Sequence, residues 1–192
     1  MHISQGDLTV RPLHPEDIDA LQRWLTDERV LAFYEGRDHP FSRDMIRAKY
    51  FTQSARHINR ELILWQEQPI GYMQIYPLSR EEFDAYGYCY SQKILGMDQF
   101  IGEVAYWNHG IGTFLMQTVC SWLETHHQPD CLVVDPRIDN LRAIHVYEKC
   151  GFRKVKRLIG HERHEGIDHD CWLMERKRYH SRLPRSHVIH VR

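Results

Sequence analysis

The sequence predicts an α/β fold: one mixed, mostly antiparallel central sheet with flanking helices. Three observations predict it. Short apolar, strand-like runs alternate with helical patterns along the 192 residues. Several neighbouring runs are joined by turns too short for anything but antiparallel pairing. Two longer helical patterns, 112–126 and 140–150, are each marked by glycine at one end. A hydrophobic content of 42% supports one compact core, and no Pro/Gly/Ser linker or internal repeat divides the chain. One domain is expected over residues 1–178, followed by a basic tail at 179–192.

Residues 8–13 read as a strand ended by Pro12 and the His14-Pro15 pair, and Glu16 to Leu25 as a helix. Asp27 to Asp38 reads as a connection, after which Ser42 can cap a second helix through Ile46, Tyr50 and Ala55. Residues 62–65 and 70–76 are strands joined by a tight turn at Glu67-Gln68-Pro69. The polar, tyrosine-rich stretch from Pro77 to Gly96 reads as a connection of about twenty residues, a length that marks functional or disordered loops. A fourth strand follows at Gln99 to Tyr106, then a helix to about His126 and a fifth strand at Cys131 to Val134. A helix capped by Asp139 or Asn140 comes next, and strands near 152–158 and 171–175 close the fold.

Gly110 and Gly112 open the helix carrying Phe114, Leu115, Met116, Val119, Trp122 and Leu123. Glycine lets backbone approach a ligand, and a helix start offers unpaired N–H groups to a phosphate. It is also a common steric start for a helix. No Gly-Lys-Ser/Thr follows, so the loop is not a P-loop. Tyr147 stands two turns from Asn140 on a similar face, as a core aromatic or as a reactive phenol, and Gly151 ends that helix.

GIGT (residues 110–113) followed by NLRAIHVYEKCGF (140–152) resembles the acetyl-CoA-binding half of the GNAT N-acetyltransferase superfamily. GMDQFIG, YWNHGIGT, VDPRIDNLRAI, WLTDERVLAFYEGRD and HERHEGIDHDCWLME are similar to aminoglycoside 6'-N-acetyltransferases, above all the acetyltransferase half of the bifunctional resistance enzyme. These segments reach from Trp24 to Glu175. The resemblance implies a GNAT fold in which the parallel strands 4 and 5 splay around the pantetheine of the co-substrate, acetyl-CoA. Trp107 stands where the common superfamily loop has Gln or Arg.

Acetyl transfer from a thioester to an amine needs a neutral amine, a stabilised carbonyl oxygen and a proton for the departing thiolate. The resemblance assigns Asp98 to the amine and Tyr147 to the thiolate. Asp98 otherwise reads as a turn or capping residue, and a carboxylate of ordinary pKa is a weak base for an ammonium. A backbone amide near Gly102, Glu103 or Val104 is implied for the oxygen, with the Glu103 side chain facing either cleft or solvent. His109, Gly110, Ile111, Gly112 and Thr113 are implied around the pyrophosphate, and Asn140 and Ala143 along the pantetheine. Asp135 is implied for a further amine, although it can equally cap the turn before Asn140. Tyr34 and Glu35 match the region that closes over an aminoglycoside, and the 77–96 connection is expected to border the acceptor.

Residues 176–192 hold six Lys or Arg and no acid, which leaves nineteen basic residues against 26 acidic ones in the body. An acidic body suits a small polycationic substrate, though excess carboxylates also simply solvate a surface. The tail has too little aromatic interleaving for a nucleic-acid arm. No nucleic-acid or membrane partner is expected, and the assembly is expected to be monomer or homodimer. MHISQGD lacks a basic-then-apolar leader and no run approaches a bilayer span, so a cytoplasmic location is expected. Five scattered cysteines without CxxC read as reduced packing residues. His161-Glu162-Arg163-His164 fails the HExxH pattern because Glu165 holds the second histidine position, so no metal is expected. The rival readings are a GNAT enzyme acting on a lysine-like or siderophore-precursor amine, and a non-catalytic coenzyme A-binding module.

Overall fold

The computed structural model describes residues 1–52 and 57–178. Within these residues eight strands form one sheet in the order β1-β2-β3-β4-β5-β6-β8-β7. They are β1 (Ile3–Gln5), β2 (Leu8–Pro12), β3 (Asn59–Trp65), β4 (Gln68–Pro77), β5 (Ile94–Ile101), β6 (Cys131–Val134), β7 (Arg153–His164) and β8 (Ile167–Lys177). Every pairing is antiparallel except β5 with β6. The added β1 makes the expected fourth and fifth strands β5 and β6. Among the described residues six α-helices accompany the sheet: α1 (Ile18–Trp24), α2 (Glu28–Leu31), α3 (Arg43–Ile46), α4 (Arg80–Tyr86), α5 (Ile111–His126) and α6 (Leu141–Lys149).

Alternation along the strands distributes the core between the two faces. Leu62 and Tyr72 join Leu21, Trp24, Leu25 and Ile46 beneath α1 and α3. Their neighbours Ile63 and Met73 join Leu115, Val119 and Ile144 beneath α5 and α6. β6 is buried on both faces, Leu132 and Val134 toward α5 and α6 and Cys131 and Val133 toward α4. That explains its unbroken apolar run. Trp24 is 1% exposed, and truncating such a residue to alanine costs about 3–5 kcal/mol.

Four local expectations change. The 27–38 connection contains α2, capped by the Asp27 carboxylate on the Arg29 amide. The 77–96 connection contains α4, which Ser79 and Glu82 start with a capping box and Gly87 ends at φ 85. The helix from Ser42 continues past Ile46 as a π-helical stretch to Phe51, and Ala55 lies outside the described residues. The fourth expected strand, placed at 99–106, is β5 at 94–101, with a 3-10 turn over Val104–Tyr106. The β3–β4 hairpin turns at Gln66 and Glu67, both left-handed (φ 49 and 64) as a two-residue type I′ loop requires. The tail at 179–192 lies outside the described residues, while Arg176 and Lys177 belong to β8 and pair with Glu124 and Glu175.

Candidate active site

The sheet opens between β5 and β6. Their parallel pairing runs from Ile94↔Cys131 to Gly96↔Val133 and then stops, while β5 continues to Ile101 against β4 alone. A cleft of about 690 Å³ fills the gap. Asp98 and Asp135 stand at its two lips, one on each diverging chain.

Backbone polarity on β5 follows from the ladder. The Gly102 amide donates to Ile70 O at 2.7 Å, and that of Glu103 to the same oxygen at 3.0 Å. Amides alternate between the edges of an antiparallel strand, so those of Asp98 and Phe100 face β4, and those of Gln99 and Ile101 face the open edge. The Ile101 carbonyl, on that same edge, accepts from Trp107 Nε1 at 2.7 Å. Gly102, Glu103 and Val104, expected at the thioester oxygen, do not line the cleft. A Cβ on Gly102 would lie 2.2 Å from the Trp24 ring, so its glycine is a packing requirement. Glu103 accepts from Trp24 Nε1 at 2.9 Å and Arg23 Nη2 at 2.7 Å, which ties the end of β5 to α1.

Asp98 is the fifth residue of β5 rather than its start. Its Oδ2 accepts from Gln74 Nε2 at 2.6 Å and its Oδ1 from Tyr76 OH at 3.0 Å, both on β4. No cation touches it among the described residues. Burial, reinforced by the Asp135 charge, pushes its pKa up to about 6. Gly96 makes room for Tyr76, since a Cβ there would meet the Tyr76 ring at 2.4 Å.

Across the gap, Asp135 Oδ2 accepts from Tyr86 OH at 2.9 Å and faces His161 Nε2 at 2.9 Å. The hydrogen bond to Asp135 raises the His161 pKa against its partial burial. Tyr86 comes from α4, so the 77–96 segment reaches this lip through its hydrogen bond to Asp135, although none of its residues lines the cleft itself. Tyr147 is 8% exposed, and its phenol oxygen accepts from Gln99 Nε2. Burial raises its pKa, and the Gln99 donor opposes the rise.

At the other end of the cleft, Gly110 adopts φ 81 and caps the 16-residue α5. Nothing stands within 4 Å of a Cβ on Gly110, and only Val146 Cγ2, at 3.9 Å, does so at Gly112. Gly110, Gly112 and Thr113 line the cleft; His109 and Ile111 do not. The Asn140 side chain accepts the Ala143 amide at 3.2 Å and thereby caps α6, and both residues line the cleft. The α6 residues Arg142, His145 and Lys149 also line it, with the Arg142 guanidinium 3.9 Å from the Trp107 ring centroid. Tyr34 and Glu35 close the side opposite β6. The Tyr34 ring packs on Phe100 with centroids 4.5 Å apart, and the Glu35 carboxylate pairs with Lys49.

The sequence reading did not anticipate Gln74, Tyr76, Gln99 and His161. The first three sit on strands beside expected residues, and strand alternation could have pointed to Gln74 and Tyr76. His161 lies where the β7–β8 register shifts between Leu158 and Glu162, a bulge that no sequence pattern announces.

A family model described as acetyltransferase (GNAT) domain matches residues 14–159. The aminoglycoside N(6')-acetyltransferase type 1 of Klebsiella pneumoniae is 24% identical over 160 residues, covering 79% of this chain and 76% of that protein, and its Serratia marcescens counterpart gives the same values. Among solved structures, aminoglycoside acetyltransferase AAC(6')-Ib in complex with coenzyme A superposes with a TM-score of 0.70 at 22% identity, covering 89% of this chain and 95% of that one. Spermidine N-acetyltransferase from Vibrio cholerae, in complex with coenzyme A and spermine, superposes with a TM-score of 0.70 at 18% identity, again covering 89% and 95%.

Proposed function

The chain belongs to the acetyltransferase (GNAT) domain family, and from that premise we propose that it transfers the acetyl group of acetyl-CoA to the 6'-amine of an aminoglycoside by direct attack. One observation carries the acceptor part of this reading. Among the described residues Asp98 is held by the neutral donors Gln74 and Tyr76 and by no cation, so its charge is available to an ammonium.

The open end of the cleft fits the co-substrate. The outward amides of Gln99 and Ile101 offer hydrogen bonds to an extended arm lying between β5 and β6. The amides at Gly110–Thr113, with the positive end of the α5 dipole, suit a pyrophosphate. Arg142, His145 and Lys149 place basic groups on the same side. When bound, acetyl-CoA supplies the thioester carbonyl and a thiolate leaving group.

The residues then divide the chemistry. Asp98 holds the acceptor ammonium and takes its proton, directly or through water, which a carboxylate raised to about 6 does far better than an ordinary one. The amine nitrogen forms its bond to the carbonyl carbon while the Gln99 or Ile101 amide stabilises the oxygen. The carbon–sulfur bond breaks, and Tyr147 donates its phenolic proton to the sulfur. The Gln99 side-chain amide supports the resulting phenolate. Tyr34 and Glu35 wall the acceptor end, and Asp135 receives a further amine.

The nearby spermidine acetyltransferase structure gives the second reading, a linear polyamine acceptor. The acidic setting of Asp98, which no cation touches among the described residues, favours either polycation over a lysine-like acceptor carrying its own carboxylate. Thiol release from acetyl-CoA with kanamycin, spermidine and a lysine derivative as separate acceptors tests the proposal. Turnover only on the lysine derivative would overturn it.

A further inference from the structure

His161 is not accounted for by acetyl transfer itself. It sits on β7 at the bulge between Leu158 and Glu162, where Gly160 adopts φ 58 and donates its amide to Asp170 Oδ1 at 2.8 Å. The irregularity brings the imidazole into the cleft, its side chain 30% exposed, with Nε2 2.9 Å from Asp135 Oδ2. Tyr86 OH, from α4, donates to that same oxygen at 2.9 Å and lies 3.4 Å from His161 Nε2. Both partners therefore fall on Oδ2. Oδ1 carries no hydrogen bond among the described residues, and Asp135 lines the cleft opposite Asp98.

Resting on the acetyl-transfer reading above, we propose that His161 is a positioning and specificity-determining residue of the acceptor end. By fixing Asp135 through Oδ2 it keeps Oδ1 for a second ammonium group, and its protonation state sets whether the charge of that carboxylate is free to attract one. The acceptor class selected is a polycation whose second ammonium reaches Asp135 while the reacting amine lies at Asp98.

The charges around the imidazole fix the direction of the effect. Asp135 faces it from the turn after β6, Glu82 and Tyr86 from α4, and Glu162 from β7 itself, with Arg137 3.9 Å from Glu162 and Asp98 beyond Tyr86. At low pH the imidazolium neutralises Asp135. As the pH rises and the ring loses its proton, the pair gains a net negative charge and holds the second ammonium more tightly.

The test compares wild type with His161→Gln, whose amide can still donate to Asp135 but cannot carry charge. KM and kcat are measured at pH 5.5 and 8.5 for kanamycin and for the single-ammonium acceptor methyl 6-amino-6-deoxyglucoside. For wild type, the kanamycin KM is expected to fall about fivefold between those pH values beyond any change in the variant, the scale of one nearby unit charge. The kcat of the variant stays within about twofold, and the single-ammonium acceptor shows no such difference. Identical KM–pH profiles in the two proteins would overturn the proposal, as would an equal effect on the single-ammonium acceptor. Calorimetric binding of kanamycin and spermidine under the same conditions needs no turnover. Binding with the expected pH difference but without thiol release would refute acetyl transfer alone, and an absence of any binding difference would refute the role of His161.

Discussion

Tyr76 donates its phenolic hydrogen to Asp98 Oδ1 at 3.0 Å from the neighbouring strand, across a gap that only the glycine at position 96 leaves open. Burial and the nearby Asp135 charge raise the pKa of this carboxylate, while the neutral donors Gln74 and Tyr76 favour its ionised form without cancelling its charge.

Asp98→Asn is expected to lower kcat/KM by about 10²- to 10³-fold, the range of a lost general base, with coenzyme A binding unchanged by calorimetry. Stability moves the other way. The folded pKa of about 6 lies above the ordinary aspartate value, so the carboxyl's contribution to stability is fully present below the unfolded pKa and is lost as the pH rises through about 6. Thermal melts are therefore expected to show Asn at least as stable as Asp at pH 8, and any gain to vanish near pH 3. A lower Tm for Asn at pH 8 would contradict the burial argument.

The pH–rate profile carries the same signature. Wild-type kcat/KM with a single-ammonium acceptor falls as the pH drops through about 6, when Asp98 takes up its proton. Tyr76→Phe removes a donor that favours the ionised carboxylate, so the acid limb moves to higher pH. An acid limb unchanged in Tyr76→Phe would remove Asp98 from the role of base.

Tyr147→Phe is expected to reduce kcat by about 10²-fold through loss of the acid, while donor KM stays within about twofold. Its fold persists, at a cost of about 1–3 kcal/mol for the buried Gln99 amide left without its acceptor. Urea unfolding separates the two effects.

Two glycine-to-alanine variants should part company. Gly102→Ala drives a methyl into the Trp24 ring and costs about 1–3 kcal/mol of stability. Gly96→Ala displaces Tyr76 and is read as lost kcat. If Gly102→Ala instead raised donor KM without lowering Tm, Gly102 would belong to the donor site after all.

Much of the fold was legible because its patterns are local. The doubly buried β6 reads as an unbroken apolar run, and α5 and α6 carry their glycine and asparagine signals at the ends. Where reading failed, local signals conflicted. Gly96 and Asp98 interrupt β5 and push its apparent start to Gln99, and both interruptions serve the cleft. The helix α4 hides in a polar stretch, although Ser79 and Glu82 spell a capping box three residues apart. The site was half legible. Asp98, Asp135, Tyr147, Asn140 and the Gly110 loop line one cleft, whereas ladder alternation turns the Gly102 amide onto Ile70 O, and the chain turning out of β5 brings the Glu103 amide to the same oxygen. His161 depends on a bulge set by the pairing of β7 with β8, a long-range property with no local trace.

The measurement that bears most directly on the account is thiol release from acetyl-CoA with kanamycin beside paromomycin, which carries a hydroxyl in place of the 6'-amine. The account predicts steady turnover with kanamycin, loss of about 10²-fold or more in Asp98→Asn, and none with paromomycin. Equal turnover on both, or turnover confined to lysine derivatives, would contradict it.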